Sequence, residues 1–112
     1  MTESALLRLR KAIIEQKTVH LNEPTHCPLC RQAYEQFQDY AAFIATQSVE
    51  ALQGHPKGEA YPHAERLEIA IKQLEASPAL EDVRFARLLN KAKQQLDTIG
   101  SLIYEVAQES ES

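Results

Sequence analysis

Glycine and aromatic residues are scarce in this chain of 112 residues: there are three glycines, and aromatics make up 6%. Together with abundant Ala, Leu, Glu, Gln and Lys, that scarcity disfavours strands and favours helices. Long apolar runs are also missing. The longest extend over a few residues, far short of the roughly 18 that a membrane helix needs. Arg8, Arg10 and Lys11 break the only candidate for a signal-peptide core. Excess positive charge is missing as well: the formal net charge is −4, which argues against a chain that grips nucleic acid through its overall charge. No glycine-rich phosphate loop and no G-x-S-x-G motif is present. The expectation left standing is a cytosolic, non-membrane protein that is not an enzyme.

The length fits one domain, expected over residues 1–108, with a frayed polar tail at 109–112. Apolar residues recur at spacings of three and four in four segments. The first runs from Thr2 or Ser4 to about Val19, with Leu6, Leu9 and Ile13 as its stripe and Leu7 and Ile14 widening it. The second runs from Cys27 or Pro28 to Leu52 through Ala33, Phe37, Tyr40, Ile44 and Ala51, with Gln47 as a polar interruption. The third, from Pro62 to Ala76, has Ala64, Leu67, Ile71 and Leu74 as its seam. Ser77-Pro78 then marks a helix start, with Ser as cap and Pro in the first turn, and Glu81 and Asp82 favour the positive end of the helix dipole. Phe85, Leu89, Ala92, Leu96, Ile99, Ile103 and Val106 carry the fourth segment, read through Gly100. Short loops between amphipathic helices predict an all-α fold, a four-helix up-down bundle or a close variant. The fourth helix is much longer than the third. Its surplus turns, Ile99 to Val106, either pack on a second protomer, giving a homodimer, or cover the first and second helices.

Both cysteines lie in one run, Thr25-His26-Cys27-Pro28-Leu29-Cys30, with His20 just upstream. In a cytosolic protein a C-x-x-C pair reads as a metal site or a redox pair before a structural disulfide. Two thiols at this spacing occupy neighbouring corners of a zinc tetrahedron. A helix start at Pro28 favours thiolate at Cys27 through the dipole. His20 and His26 are candidates for the other two corners, so the candidate metal set is Cys27, Cys30, His26 and His20, with zinc in a structural role. Glu23, Glu81 and Asp82 stand in reserve at the same end of the bundle. His55 and His63 flank the second loop, roughly 35 Å away along a helix rising about 1.5 Å per residue. They are expected to be solvated. The alternative readings of the cysteines are a redox pair in which Cys27 attacks and Cys30 resolves, and two ordinary reduced cysteines near a loop.

The C-P-x-C apex of Cys27, Pro28 and Cys30 between two amphipathic helices resembles the zinc hook of the coiled-coil ATPases that repair DNA double-strand breaks. The resemblance covers about twenty residues and includes no nucleotide-binding segment, so it implies no ATPase activity. It implies one thing: two chains can meet at a shared four-cysteine zinc. The same string resembles the glutaredoxin motif, but that family needs a strand before the motif, where this chain has a helical pattern.

On the fourth helix Arg84, Arg87 and Lys91, with Lys93 nearby, form a basic stripe, and Arg8 and Lys11 add charge to the first. Such a stripe could hold phosphates, although no tyrosine interleaves with it to stack bases. The functional expectation is a small regulatory or adaptor protein that binds another protein. A thiol redox sensor and a nucleic-acid-associated regulator are the alternatives.

Overall fold

The three/four rhythm produces helices where it predicts them. They are α1 (Ala5–Glu15), α2 (Pro28–Leu52), α3 (Tyr61–Glu75) and α4 (Leu80–Glu111). The computed structural model describes residues 4–15, 21–24, 28–54 and 61–111, and among them no strand occurs. The expected continuation of the first helix to Val19 falls on residues 16–19, outside the described residues. At the other end of the chain α4 extends to Glu111, into the stretch whose composition suggests fraying.

Local chemistry places the ends. The Ser4 carbonyl accepts the first helical bond of α1 from Arg8 N–H at 3.1 Å, and its Oγ accepts Leu7 N–H at 3.2 Å, an N-cap arrangement. Gly54, at φ +85°, terminates α2 in a left-handed conformation that costs glycine little. The start of α4 differs from expectation. Ala79, not Ser77, supplies the carbonyl for the first bond, from Val83 N–H at 3.3 Å. Ser77 Oγ instead accepts Ala79 N–H at 3.2 Å and donates to Asp82 Oδ2 at 2.7 Å. The hydroxyl closes the turn ahead of the helix and fixes a side chain within it.

Contacts along α2 and α4 advance together. Cys30 meets Asp82 and Tyr40 meets Asp97, while Ile44 lies against Gly100. These helices are therefore parallel. α1 runs antiparallel to α4, because Ala5 meets Glu109 and Arg8 meets Glu105. α3 returns beside α2, with His63 on Phe43, before the turn at 76–79. The up-down order is the expected one.

The packing is a variant of the four-helix plan. α2, α3 and α4 all pack on one another, whereas α1 packs mainly on α4, little on α2, and makes no contact with α3. The level of Phe43 and Ile44 on α2 explains this. There α3 has already reached His63, near its first residue, while α4 is only at Gly100. The last turns of α4 extend beyond α3, and α1 takes the vacant place. The surplus apolar residues Ile99, Ile103 and Val106 are buried within the chain. The molecule is elongated, 49 × 24 × 20 Å. Its long axis is the length of α4, whose 32 residues rise about 1.5 Å each.

The core joins Leu9 of α1, Tyr40 and Ile44 of α2, Leu67 and Leu74 of α3, and Leu89 and Leu96 of α4. Each fully buried aliphatic side chain contributes about 1.5–3 kcal/mol relative to exposure. Leu7 and Ile14 do not widen the stripe of α1: they are 42% and 82% exposed. With one main neighbour, α1 can cover only a narrow strip, so the flanking leucine and isoleucine face solvent.

Candidate functional site

Cys30 lies in the first turn of α2, and the seam of that helix turns it inward, one turn before Ala33 and in step with Tyr40. Its side chain is 1% exposed. Across from it the first turn of α4 brings Asp82, 7% exposed, into the same interior. Cys30 Sγ donates to Asp82 Oδ1 at 3.2 Å, and the other carboxylate oxygen receives Ser77 Oγ–H at 2.7 Å. A thiol, a carboxylate and a hydroxyl from α2, α4 and the turn between α3 and α4 thus form one connected group. The amino-terminal ends of two parallel helices meet here, and the partial positive charge of each favours an anion such as Asp82.

The arrangement has a chemical consequence. A thiolate and a carboxylate are both acceptors, so at this separation a positive particle must lie between them. In the hydrogen-bonded form it is the thiol proton. A divalent metal ion can take its place, since Cys and Asp are both zinc ligands. Burial closes Cys30 to solvent reagents; Cys27, the attacking thiol of the redox reading, lies outside the described residues.

Of the four sequence-predicted ligands, Cys30 is the one that the structure describes; His20, His26 and Cys27 lie outside the described residues. Among the described residues no three His, Cys, Asp or Glu side chains gather at metal-binding distance. The reserve ligands do lie at this end. An open cleft of about 320 Å³ is lined by Cys30, by Glu23 and Pro24, and by Glu81, Arg84, Phe85 and Leu88 of α4. The segment 21–24 that forms its wall is anchored by buried Pro24 and by Leu21 packed on the core.

His63 is not a solvated loop residue as expected. It stands in the first turn of α3, half-buried, with its ring stacked on Phe43 at 4.7 Å between centroids. Phe43 follows Cys30 by thirteen residues of α2, or about 20 Å of helix. His63 therefore stays away from the cysteine, although nearer than the full length of α2 suggested. His55 lies outside the described residues.

A second polar cluster, absent from the sequence reading, sits halfway along α2. Tyr40, 1% exposed, donates its hydroxyl to Asp97 Oδ1 at 2.6 Å. Lys93 Nζ holds Asp97 Oδ2 at 2.8 Å. Burial, and then the hydrogen bond and charge of Asp97, push the Tyr40 phenol well above its ordinary range. Gly100 faces this cluster with room for a methyl group: a Cβ there would lie 3.4 Å from Ile44 Cδ1 and 3.8 Å from Tyr40 Oη, ordinary contacts. The signal that could have found the pair was Asp97 placed four residues after Lys93, beside a seam that carries a tyrosine.

The basic stripe is divided. Lys93 belongs to the Tyr40 cluster and Arg8 pairs with Glu105 at 2.6 Å, whereas Arg84, Arg87 and Lys91 face solvent. No helix among the described residues is long and apolar enough to cross a membrane. No known protein family, curated protein or solved structure matches the chain.

Proposed function

We propose that this protein is a small regulatory or adaptor protein of the cytosol that acts by binding another protein. A structural zinc ion, held by Cys27, Cys30, His26 and His20, would staple the connection between α1 and α2 to the bundle. The observation that carries the reading is the burial of Cys30 against Asp82 where two helices begin. A thiol placed there serves the architecture of a helical scaffold better than it serves chemistry on a substrate. Four protein ligands leave no open coordination position, which is the arrangement of a structural zinc site. Asp82, held in turn by Ser77, would act as an outer partner that orients Cys30, or would replace a histidine as ligand.

The burial of Cys30 also favours a site inside one chain over a zinc shared between two. The α4 turns that could have formed a homodimer interface are covered by α1, so a monomer is the acting form in this reading.

The test is elemental analysis of protein purified without chelator or nickel resin, combined with melting of wild type, Cys27→Ser and Cys30→Ser with and without chelator. About one zinc per chain is expected. Both variants should lose most of the metal and melt at lower temperature. His63→Ala should leave the metal content unchanged. Metal-free protein whose melting ignores chelator and both cysteine variants would reject the staple. Light scattering checks the monomer, and half a zinc per chain in a dimer would restore the shared site.

A further inference from the structure

The proposed adaptor must present a surface to its partner, and α4 carries the strongest candidate. Leu80, Arg84, Arg87, Leu88 and Lys91 recur at helical spacing and fall within about 100° of the helix circumference at about 3.6 residues per turn. All five are exposed, and the two leucines remain 63% and 48% accessible. No carboxylate lies within this arc. Among the described residues Arg84, Arg87 and Lys91 enter none of the ion pairs, which instead engage Arg8, Lys72 and Lys93. In a chain of net charge −4, three cations are thus left together with two leucines on one face. A cleft of about 320 Å³ adjoins this face and shares Arg84 and Leu88 with it.

We propose that this face of α4 docks an acidic amphipathic helix of another protein. One or two aliphatic side chains of the partner enter the cleft over Phe85 and Leu88, while its carboxylates meet Arg84, Arg87 and Lys91. Charge complementarity selects this occupant. A wholly apolar partner would strand three cations, and a polyphosphate chain would use neither the leucines nor the cleft; because Glu23 and Glu81 line the cleft, the partner's aliphatic side chains face it and its carboxylates lie on the side of Arg87 and Lys91. The inference rests on the protein-binding reading and gives that reading its surface.

The probe is a fluorescently labelled synthetic helix with leucines and glutamates at three/four spacing, titrated against the full chain by anisotropy. Three controls are the same peptide with Leu→Ser, with Glu→Lys, and a single-stranded oligonucleotide. The leucine-glutamate peptide should bind saturably and weaken with salt, and the two altered peptides should not bind. The double variant Arg84→Glu/Arg87→Glu should weaken binding roughly tenfold or more, and Leu88→Ser severalfold. Lys91→Glu is the milder third variant should the double one fold poorly. No saturable binding at millimolar peptide, equal binding of the Leu→Ser peptide, or tighter binding of the oligonucleotide overturns the proposal. Zinc content and chelator-dependent melting are measured on the same samples. Loss of peptide binding with the metal intact rejects this surface alone, and loss of the metal arm with peptide binding intact rejects the staple alone.

Discussion

The two ends of α4 are held in different ways. At its start, α2 and α3 both pack on it, the turn at 76–79 is short, and Cys30 and Asp82 meet in the interior with Ser77 partly buried beside them. At its finish, α3 has ended and α1 takes over. There the polar ties are the Glu109 carboxylate on Ala5 N–H, at 3.2 Å from each oxygen, and the Arg8–Glu105 pair, whose side chains are 44% and 45% exposed. Water competes freely for the Arg8–Glu105 pair and far less for the buried Cys30–Asp82 contact, so that ion pair is worth less than its short length suggests. Among the described residues of α1, Ala5 and Leu9 are the buried ones, so the helix is held through a narrow strip against essentially one neighbour. The physical expectation is a cooperative unit of α2, α3 and α4 with a more easily detached α1.

The largest effects test that division. Leu89→Ala should cost about 2–5 kcal/mol and lower the melting of the whole molecule. Leu9→Ala removes the same group from α1, but its effect on α2–α4 is capped by the docking free energy of α1. Native-state hydrogen exchange checks this: amides of α1 should open at lower free energy than those of α2 and α4. Equal protection across all four helices would dissolve the comparison.

Next comes the buried polar group. Asp82→Ala should destabilise by about 1–3 kcal/mol, since it removes the acceptor of a buried thiol and of Ser77. Arg8→Ala should cost roughly 1 kcal/mol or less, and salt should reduce that difference further. Chemical denaturation at two ionic strengths compares the two ends directly. A larger effect at Arg8 than at Asp82 would contradict the burial argument.

Tyr40 lies between the ends and offers a pH test. Its folded pKa is raised above the unfolded value of about 10. Below that value both states carry the proton and its stabilisation is fully present. As pH rises past about 10, the unfolded chain releases the proton and the folded chain retains it, so stability falls. Tyr40→Phe should cost about 1 kcal/mol at neutral pH and flatten the alkaline loss. Denaturation between neutral and alkaline pH measures both. The smallest effect is a gain. Gly100→Ala should stabilise by about 0.5–1 kcal/mol, because the added methyl meets Ile44 at 3.4 Å, an ordinary contact. A loss there would mean that Ile44 and Tyr40 cannot accommodate even one methyl group.

The helices were legible in the sequence because apolar periodicity is a local property. α2 ends at Leu52 as its pattern predicts, Gly54 follows, and the seam of α4 runs through Gly100 unbroken. The site was legible in part. The inward position of Cys30 follows from its place on the α2 seam, and Asp82 was recognisable as a carboxylate at the correct end. That the two touch was not legible, nor was the role of Ser77, because the hydroxyl could cap a helix or reach forward to a side chain with equal local logic. Leu7 and Ile14 mislead for a similar reason: the width of an apolar stripe does not state how many neighbours a helix will have.

The sequence by itself determined four amphipathic helices, their order of direction and the residues of their seams, since side chains three and four apart share a face whatever surrounds them. Only the tertiary structure decided that α1 covers the finish of α4 and that Asp82 faces Cys30. It also decided that His63 stacks on Phe43 and that Arg84, Arg87 and Lys91 are left together in solvent. Those outcomes depend on the axial offset and rotation of one helix against another. The whole core sets both at once, and no single segment encodes them.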